Sequence, residues 1–216
     1  MKKAILIGAT GLIGSELLRQ LLADSNYSEV KVIARRTTGV IHSKLKEVLI
    51  NFDDLENYKS EIVGDVLFST MGTTMKKAGS QAVQYKIDYS YQYNTAKIAS
   101  DNGVETLVLL SSTGASSKSK VFYSRIKGEL DEAVQKLKFT SVAIIRPSML
   151  AGNRKEFRLA EKIVTPIMYA ILWLPGIRKY RPIKDVVVAK AMINSVKNKS
   201  KTQIIELEDV FKMAKM

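Results

Sequence analysis

The 216-residue sequence contains no cysteine and only one histidine, His42. Without cysteine there can be no disulfide, no thiolate zinc site and no cysteine nucleophile. A single histidine disfavours a histidine-based catalytic triad and a multi-histidine metal site, so we predict that no metal is bound. General acid–base chemistry would therefore fall to tyrosine, lysine or carboxylate side chains.

The sequence also lacks a long hydrophobic segment. The apolar run before Gly8 is shorter than the roughly 7–15 residues of a secretory signal. The longest later run, 163–175, is shorter than the ~20 residues that span a bilayer. We therefore interpret the N-terminus as a first strand and expect a cytoplasmic protein.

Acidic residues are scarce in the second half of the chain. Residues 1–108 contain 13 Lys/Arg and 12 Asp/Glu, whereas residues 109–216 contain 21 and 9. Such an imbalance indicates an anionic ligand or membrane surface, or simply a solvated lysine-rich face. No nucleic-acid motif accompanies the charge, so we predict no specific nucleic-acid partner.

Short apolar runs alternate with helical patterns, which is typical of βα units on a parallel sheet. The predicted strands are 2–8, 29–35, 47–50, 65–71, 106–112, 141–147 and 203–207, and the predicted helices are 12–24, 81–102, 124–138 and 185–197. This order predicts a single α/β domain, 1–216, with a doubly wound parallel sheet. Residues 148–182 interrupt the alternation and are predicted to form a small insertion that covers the substrate pocket.

The segment GATGLIG places Gly8, Gly11 and Gly14 between the first strand and the first helix. Gly8 permits a tight turn, Gly11 a close approach of a pyrophosphate, and Gly14 close packing of the helix on the strand. In this strand–turn–helix context the pattern predicts a dinucleotide site. A purely structural βα turn is the alternative.

Two arginines, Arg35 and Arg36, follow the second strand, where NAD-binding proteins usually have an acidic residue. A guanidinium forms charge-assisted hydrogen bonds with a phosphate, so the pair favours NADPH, with the hydroxyls of Thr37 and Thr38 as further candidate contacts.

Two other strand ends are candidate cofactor contacts. Met71 and Gly72 form a small-residue turn after the fourth strand. Asn51 and Phe52 follow the third strand and are candidate adenine contacts, although plain packing at the strand end explains them equally well.

Tyr123 and Lys127 are four residues apart, so they project from one face of a predicted helix. Ionising a free tyrosine near neutral pH costs about 3–4 kcal/mol. One ammonium about 4 Å away offers up to about 4 kcal/mol at an effective dielectric constant near 20. We therefore predict Tyr123 as the general acid, Lys127 as its partner, and Ser111 or Ser112 as the residue that orients a carbonyl.

The sequence resembles the atypical branch of the short-chain dehydrogenase/reductase superfamily, and more closely its Tat-interacting-protein type of oxidoreductase-like proteins. The resemblance rests on GATGLIGSELL, IARRT, INFDDLENY, STMGTTMKKAGS, LLSSTGASSKSKVFYSRIKGELDEAVQKLKF, IIRPSML and VVVAKAMINSV. It implies a Rossmann-like domain with NADP(H) contacts at Ala9, Thr10, Gly11, Leu12, Ile13, Arg35, Arg36, Met71 and Gly72. It also implies that Tyr123 is the active-site tyrosine and that Lys127 positions the ribose.

We therefore predict an NADPH-dependent reductase of a small carbonyl compound. The alternative is an NADPH-binding regulatory protein with little turnover, as in some members of this branch, and an NAD-using epimerase or dehydratase is disfavoured by Arg35 and Arg36. Basic residues around an apolar run in 148–182 favour an anionic or amphipathic substrate, or a peripheral membrane contact. The sequence is compatible with a monomer or a homodimer.

Overall fold

The computed structural model describes residues 1–151, 178–198 and 200–216. The strands in these ranges are β1 (Lys2–Ile7), β2 (Tyr27–Ala34), β3 (Leu45–Leu49), β4 (Val66–Ser69), β5 (Thr106–Leu110), β6 (Ser141–Arg146), β7 (Leu150–Ala151), β8 (Ile183–Lys184) and β9 (Thr202–Glu206). Seven of them form one parallel sheet in the order β3-β2-β1-β4-β5-β6-β9. All seven predicted strands are present, and the doubly wound α/β fold is confirmed.

The helices are α1 (Leu12–Ala23), α2 (Met75–Ala78), α3 (Gln81–Tyr85), α4 (Tyr91–Asp101), α5 (Phe122–Val134), α6 (Asp185–Ser195) and α7 (Glu208–Met213). A 3-10 segment (Phe52–Glu61) follows β3, another (Arg178–Tyr180) precedes β8, and a π-helical turn (Lys86–Ser90) joins α3 to α4. The long helix predicted over 81–102 is therefore three helical pieces in succession. Such π-helical turns are often found at functional sites.

The inner strands β1, β4, β5 and β6 contain continuous apolar runs rather than alternating ones, as expected of a sheet that is covered on both faces. On one face, Leu6 of β1 belongs to a core cluster with Leu17 of α1 and Val188 of α6. On the other face, Ile5 and Ile7 belong to a cluster with residues of α4 and α5. Both faces of the central strand are thus sealed from water, and its open end is the carboxyl edge.

The strand order reverses between β1 and β4. From β1 the chain winds outward to β2 and β3, and from β4 it winds in the other direction to β5 and β6. The connections at the carboxyl ends of β1 and β4 therefore diverge, which leaves a crevice where ligands bind in this architecture.

The insertion predicted over 148–182 lies largely outside the described residues. Its two ends are described, and they meet as parallel strands in which Leu150 pairs with Ile183 and Ala151 with Lys184. The single-domain assignment over 1–216 stays a prediction.

The serine-rich loop after β5 packs directly on α5. The amide of Ser116 donates a hydrogen bond to the carbonyl of Ser124 at 3.0 Å. A Cβ atom on Gly128 would lie 2.2 Å from Ser116 C and 2.2 Å from Ser117 N, so only glycine permits this approach. The contact holds the loop that carries Ser111 and Ser112 against the helix that carries Tyr123 and Lys127.

We expect Gly128→Ala to destabilise the protein by about 1–3 kcal/mol, because the loop backbone must move away from the new methyl group. This loss opposes the roughly 1 kcal/mol that alanine gains over glycine within a helix. Urea denaturation measures the effect. Gly72→Ala is the control, since the nearest atom to its added Cβ is 3.8 Å away. Unchanged stability of Gly128→Ala would show that the loop does not need this contact.

Candidate cofactor and active site

The glycine-rich turn brings the start of α1 against the ends of β1 and β4. Gly8 has a φ of +84°, and its carbonyl accepts a hydrogen bond from the amide of Gly11 at 2.9 Å. A Cβ on Gly8 would lie 2.6 Å from Met71 N, and one on Gly14 would lie 2.1 Å from the carbonyl oxygen of Gly8. Both positions therefore require glycine for the backbone segments to touch.

The N-terminus of α1 has features that favour an anion. Gly11 precedes the helix without a side-chain cap, and the first turn of α1 contains no acidic residue. The first amides of a helix lack partners within it and carry partial positive charge. Together with the closely packed glycines, this geometry fits the pyrophosphate of a dinucleotide. Ala9 is buried beneath the turn, and Thr10 is exposed on it.

One cavity of about 550 Å³ extends from this turn to α5. It brings together eight of the predicted site residues: Gly11, Leu12, Ile13, Met71, Gly72, Ser111, Tyr123 and Lys127. The rest of its wall includes the polar residues Thr70, Thr73 and Gln84 and the apolar residues Val121, Phe122 and Leu150. The helix N-terminus and the tyrosine–lysine pair therefore face a common space.

Tyr123 and Lys127 occupy successive turns near the start of α5. The tyrosine is 41% exposed, whereas the lysine is 2% exposed. Both line the cavity, as the spacing of four residues predicts. The phenol is thus accessible to a ligand, while the ammonium is held in a largely dry environment.

Two buried carboxylates supply the negative charge that a buried ammonium requires. Asp88 and Asp131 are both fully buried. Burial raises the pKa of Asp88, and the positive charge of Lys127 opposes that rise. Burial also raises the pKa of Asp131, against the hydrogen bond from Ser111 and the charges of Arg146 and Lys127. The charge of Lys127 therefore acts on carboxylates from two different helical segments.

Asp131 connects this charge cluster to β5 and β6. Its Oδ2 atom accepts hydrogen bonds from Ser111 Oγ at 2.9 Å and Arg146 Nε at 3.0 Å, and Arg146 Nη2 lies 2.9 Å away. Of the two candidate serines, the structure brings Ser111 to the cavity wall. The hydroxyl of Ser112 is buried and has no hydrogen-bond partner among residues 1–151, 178–198 and 200–216.

Asp88 lies on the π-helical turn and shapes the cavity wall after β4. Its Oδ1 atom accepts a hydrogen bond from the amide of Thr73 at 2.7 Å. Our sequence interpretation missed both aspartates. The sequence did contain a pattern that points to Asp131: it lies four residues after Lys127, the same spacing that separates Lys127 from Tyr123. Asp88 had none, because its position depends on the π-helical turn.

Arg35 and Arg36 directly follow β2 and are both exposed. Neither guanidinium forms an ion pair with an acid in the part of the chain that the structure describes. Thr37 Oγ1 and Thr38 Oγ1 donate hydrogen bonds to Glu47 at 2.6 and 2.5 Å. The protons of both hydroxyls are therefore already shared with a carboxylate, and a contact of Thr37 or Thr38 with a cofactor phosphate stays a prediction.

Asn51 and Phe52 do not line the cavity. Asn51 begins the 3-10 segment: its Oδ1 accepts from the amide of Asp53 at 3.1 Å, and its Nδ2 donates to Asp54 Oδ2 at 2.9 Å. The Phe52 ring is 4% exposed and packs against Tyr91, with ring centroids 5.3 Å apart. These contacts show strand-end packing, the alternative that the sequence left open, and the assignment of Asn51 and Phe52 as adenine contacts stays a prediction.

Comparisons with known proteins point to one family. A family model described as NAD(P)H-binding matches residues 8–163. "Protein fmp52, mitochondrial" of Emericella nidulans is 37% identical over 170 residues, covering 76% of this chain and 73% of that protein. "Protein FMP52, mitochondrial" of Candida albicans is 34% identical over 223 residues, covering 97% and 96%.

A solved structure shows the same fold at low sequence identity. MoeE5 in complex with UDP-glucose and NAD matches with a TM-score of 0.70 and 15% identity, over 98% of this chain and 80% of that one.

The names of the fungal relatives contradict the expected cytoplasmic location, and that prediction is wrong. It relied on the short N-terminal apolar run, which is a criterion only for secretory signals. Separately, no helix within the described ranges has the length and apolar character to cross a membrane.

We expect Asp131→Ala to destabilise the protein by about 3 kcal/mol, since removing one partner of a buried ion pair leaves the other charge uncompensated. Denaturant unfolding measures the loss. The control is Asp101→Ala, which breaks the exposed pair of Asp101 with Lys97 on α4 and should change stability little. Equal effects of the two variants would contradict a stabilising role for the buried cluster.

Proposed function

This chain belongs to the NAD(P)H-binding family, among relatives named FMP52, and we propose that it is an NADPH-dependent reductase of a small carbonyl compound. One observation carries the proposal: a single cavity joins the uncapped N-terminus of α1 to Tyr123 and Lys127. An anion site and an acid–base pair that share one cavity are what a dinucleotide-dependent oxidoreductase requires.

The backbone amides of the glycine turn would hold the pyrophosphate, and Arg35 with Arg36 would hold the 2′-phosphate. Met71 and Gly72 would line the nicotinamide end, beside Lys127. Bound NADPH supplies the hydride that the carbonyl carbon accepts. Every other part of the reaction falls to side chains of this protein.

Tyr123 donates its phenolic proton to the carbonyl oxygen. The ammonium of Lys127, one helical turn away, stabilises the tyrosinate that remains and also holds the ribose hydroxyls. Ser111 orients the carbonyl oxygen. Because its hydroxyl proton is shared with Asp131, Ser111 must rotate its O–H toward the substrate to donate to it.

The cavity wall supports an amphipathic substrate. Its lining includes the apolar residues Val121, Phe122 and Leu150, and Lys77 contributes an exposed positive charge. An apolar carbonyl compound with an anionic group matches this combination. The names of the fungal relatives support a mitochondrial location for the reaction.

We expect Tyr123→Phe to lower turnover by about 100-fold or more, because the general acid is lost. Its affinity for NADPH should stay within a few-fold of the wild-type value. Steady-state kinetics on the best compound from a carbonyl screen, and calorimetry with NADPH, measure the two quantities. Tyr58→Phe, on the 3-10 segment away from the cavity, is the matched control. Turnover that survives in Tyr123→Phe would refute this mechanism.

The competing regulatory function makes a different prediction from the same variant. A protein that acts only by binding NADPH keeps its biological effect in Tyr123→Phe, because cofactor binding is intact. Loss of that effect together with turnover supports the enzyme.

We expect the protein to bind NADPH at least tenfold more tightly than NADH, a difference of about 1.4 kcal/mol. The double variant Arg35→Ala/Arg36→Ala should lose this preference, and the preference should weaken as salt rises. Titrations with each cofactor at low and moderate salt provide the measurement. The control variant is Arg19→Ala, at an exposed position of α1, and it should keep the preference for NADPH. Equal binding of both cofactors by the wild type would overturn the NADPH assignment.

A further inference from the structure

Glu47 of β3 organises the segment that follows the arginine pair. Its carboxylate accepts hydrogen bonds from Thr37 Oγ1 at 2.6 Å, from the amide of Thr38 at 2.8 Å and from Thr38 Oγ1 at 2.5 Å. Three donors from two consecutive residues therefore converge on one side chain. Charge-assisted hydrogen bonds of this kind are stronger than neutral ones.

The same threonines close the turn on itself. Thr37 Oγ1 also accepts from the amide of Gly39 at 3.1 Å, and Thr38 Oγ1 accepts from the amide of Val40 at 3.3 Å. Gly39 has a φ of +74°, a backbone conformation that suits glycine. Each hydroxyl thus links Glu47 to a backbone amide two residues farther along the chain.

Arg35 and Arg36 are consequently held at both ends. On one side, the carbonyl of Ala34 accepts a hydrogen bond from the amide of Ile50 at 2.9 Å, which fixes the end of β2. On the other side, Thr37 is tied to Glu47. Only two residues bridge these fixed points, so the backbone from which both guanidinium groups extend has little freedom.

The hydrogen bonds from Thr37 and Thr38 also affect the ionisation of the Glu47 carboxylate and determine which groups it binds. Their hydrogen bonds lower the pKa of Glu47, so the group is ionised at neutral pH. The charge of Glu47 is nevertheless directed to hydroxyl and amide donors, and neither Arg35 nor Arg36 pairs with it. Within residues 1–151, 178–198 and 200–216, no acidic side chain pairs with either guanidinium group, which leaves both for an external anion.

We propose that Glu47 is a positioning residue for cofactor choice, which fixes the Arg35–Arg36 segment so that both guanidinium groups reach the 2′-phosphate of NADPH. This inference rests on the proposed preference for NADPH. A role through charge alone predicts the opposite effect, because a carboxylate near a phosphate repels it. Removal of the side chain and removal of its charge therefore have different consequences.

The test compares Glu47→Ala with Glu47→Gln by measuring dissociation constants for NADPH and NADH at fixed low salt. We expect Glu47→Ala to weaken NADPH binding about tenfold and to leave NADH binding within twofold. Glu47→Gln should stay within threefold of the wild type for both cofactors, since its amide can still accept from Thr38 N and bond to a hydroxyl. Thermal unfolding of each variant verifies that it is folded.

Two further variants sharpen the result. Thr38→Val keeps the carboxylate but removes a hydroxyl donor, and it should lower the NADPH preference as Glu47→Ala does. Glu29→Ala is the matched control, since Glu29 is a carboxylate on the neighbouring strand that pairs with Lys46 instead. Glu29→Ala should therefore keep the wild-type preference for NADPH over NADH.

The outcomes separate this inference from the cofactor assignment. If the wild-type protein does not prefer NADPH to NADH, both the cofactor assignment and the role of Glu47 are overturned. A wild type that prefers NADPH, with Glu47→Ala unchanged or tighter in NADPH binding, overturns only the role of Glu47. Loss of the preference in Glu47→Ala and Thr38→Val, with its retention in Glu47→Gln and Glu29→Ala, supports the proposal.

Discussion

At the point where the strand order reverses, the backbone of α1 packs closely on the backbone at Gly8, directly after β1. A methyl group at Gly14 would lie 2.1 Å from the carbonyl oxygen of Gly8, and one at Gly8 would meet the chain after β4 at 2.6 Å. This close approach places the unpaired amides of the helix directly over the crevice. The location of the anion site, and hence of the cavity that starts there, follows from it.

At the other end of the cavity, the structure depends on balancing the buried charge of Lys127 rather than on close backbone packing. A lysine as buried as Lys127 is tolerated only where opposite charge is near, and Asp88 and Asp131 provide it from two helical segments. The arrangement links the proposed catalytic group to the fold: Asp131 also binds Arg146 at the end of β6, and Asp88 holds the turn at Thr73. The same network shares the proton of Ser111, so substrate orientation and protein stability depend on one cluster.

At the carboxyl end of β2, the backbone positions of the exposed Arg35 and Arg36 are proposed to depend on Glu47 of the neighbouring strand β3. Arg35 and Arg36 have no partner of their own in the described structure, yet the chain on both sides of them is fixed. Cofactor choice in this protein is thus proposed to depend on an acidic residue that does not itself bind the phosphate. An acidic residue near such a site need not indicate NAD, because hydrogen bonds to threonines can direct its charge elsewhere.

The sequence by itself determined the parallel sheet, the glycine turn and the Tyr123–Lys127 pair, because each depends on local spacing: apolar runs, three glycines at intervals of three, and two residues one helical turn apart. Only the tertiary structure decided which side chains bind to one another through hydrogen bonds, ring packing and charge interactions. Thr37 and Thr38 bond to Glu47, Asn51 bonds within its own turn, and Phe52 packs on Tyr91. Asp88 interacts electrostatically with Lys127, 39 positions farther along the chain, where no local pattern connects them. Hydrogen bonds and charge pairs form between whichever groups folding brings together, and a linear sequence does not record those distances.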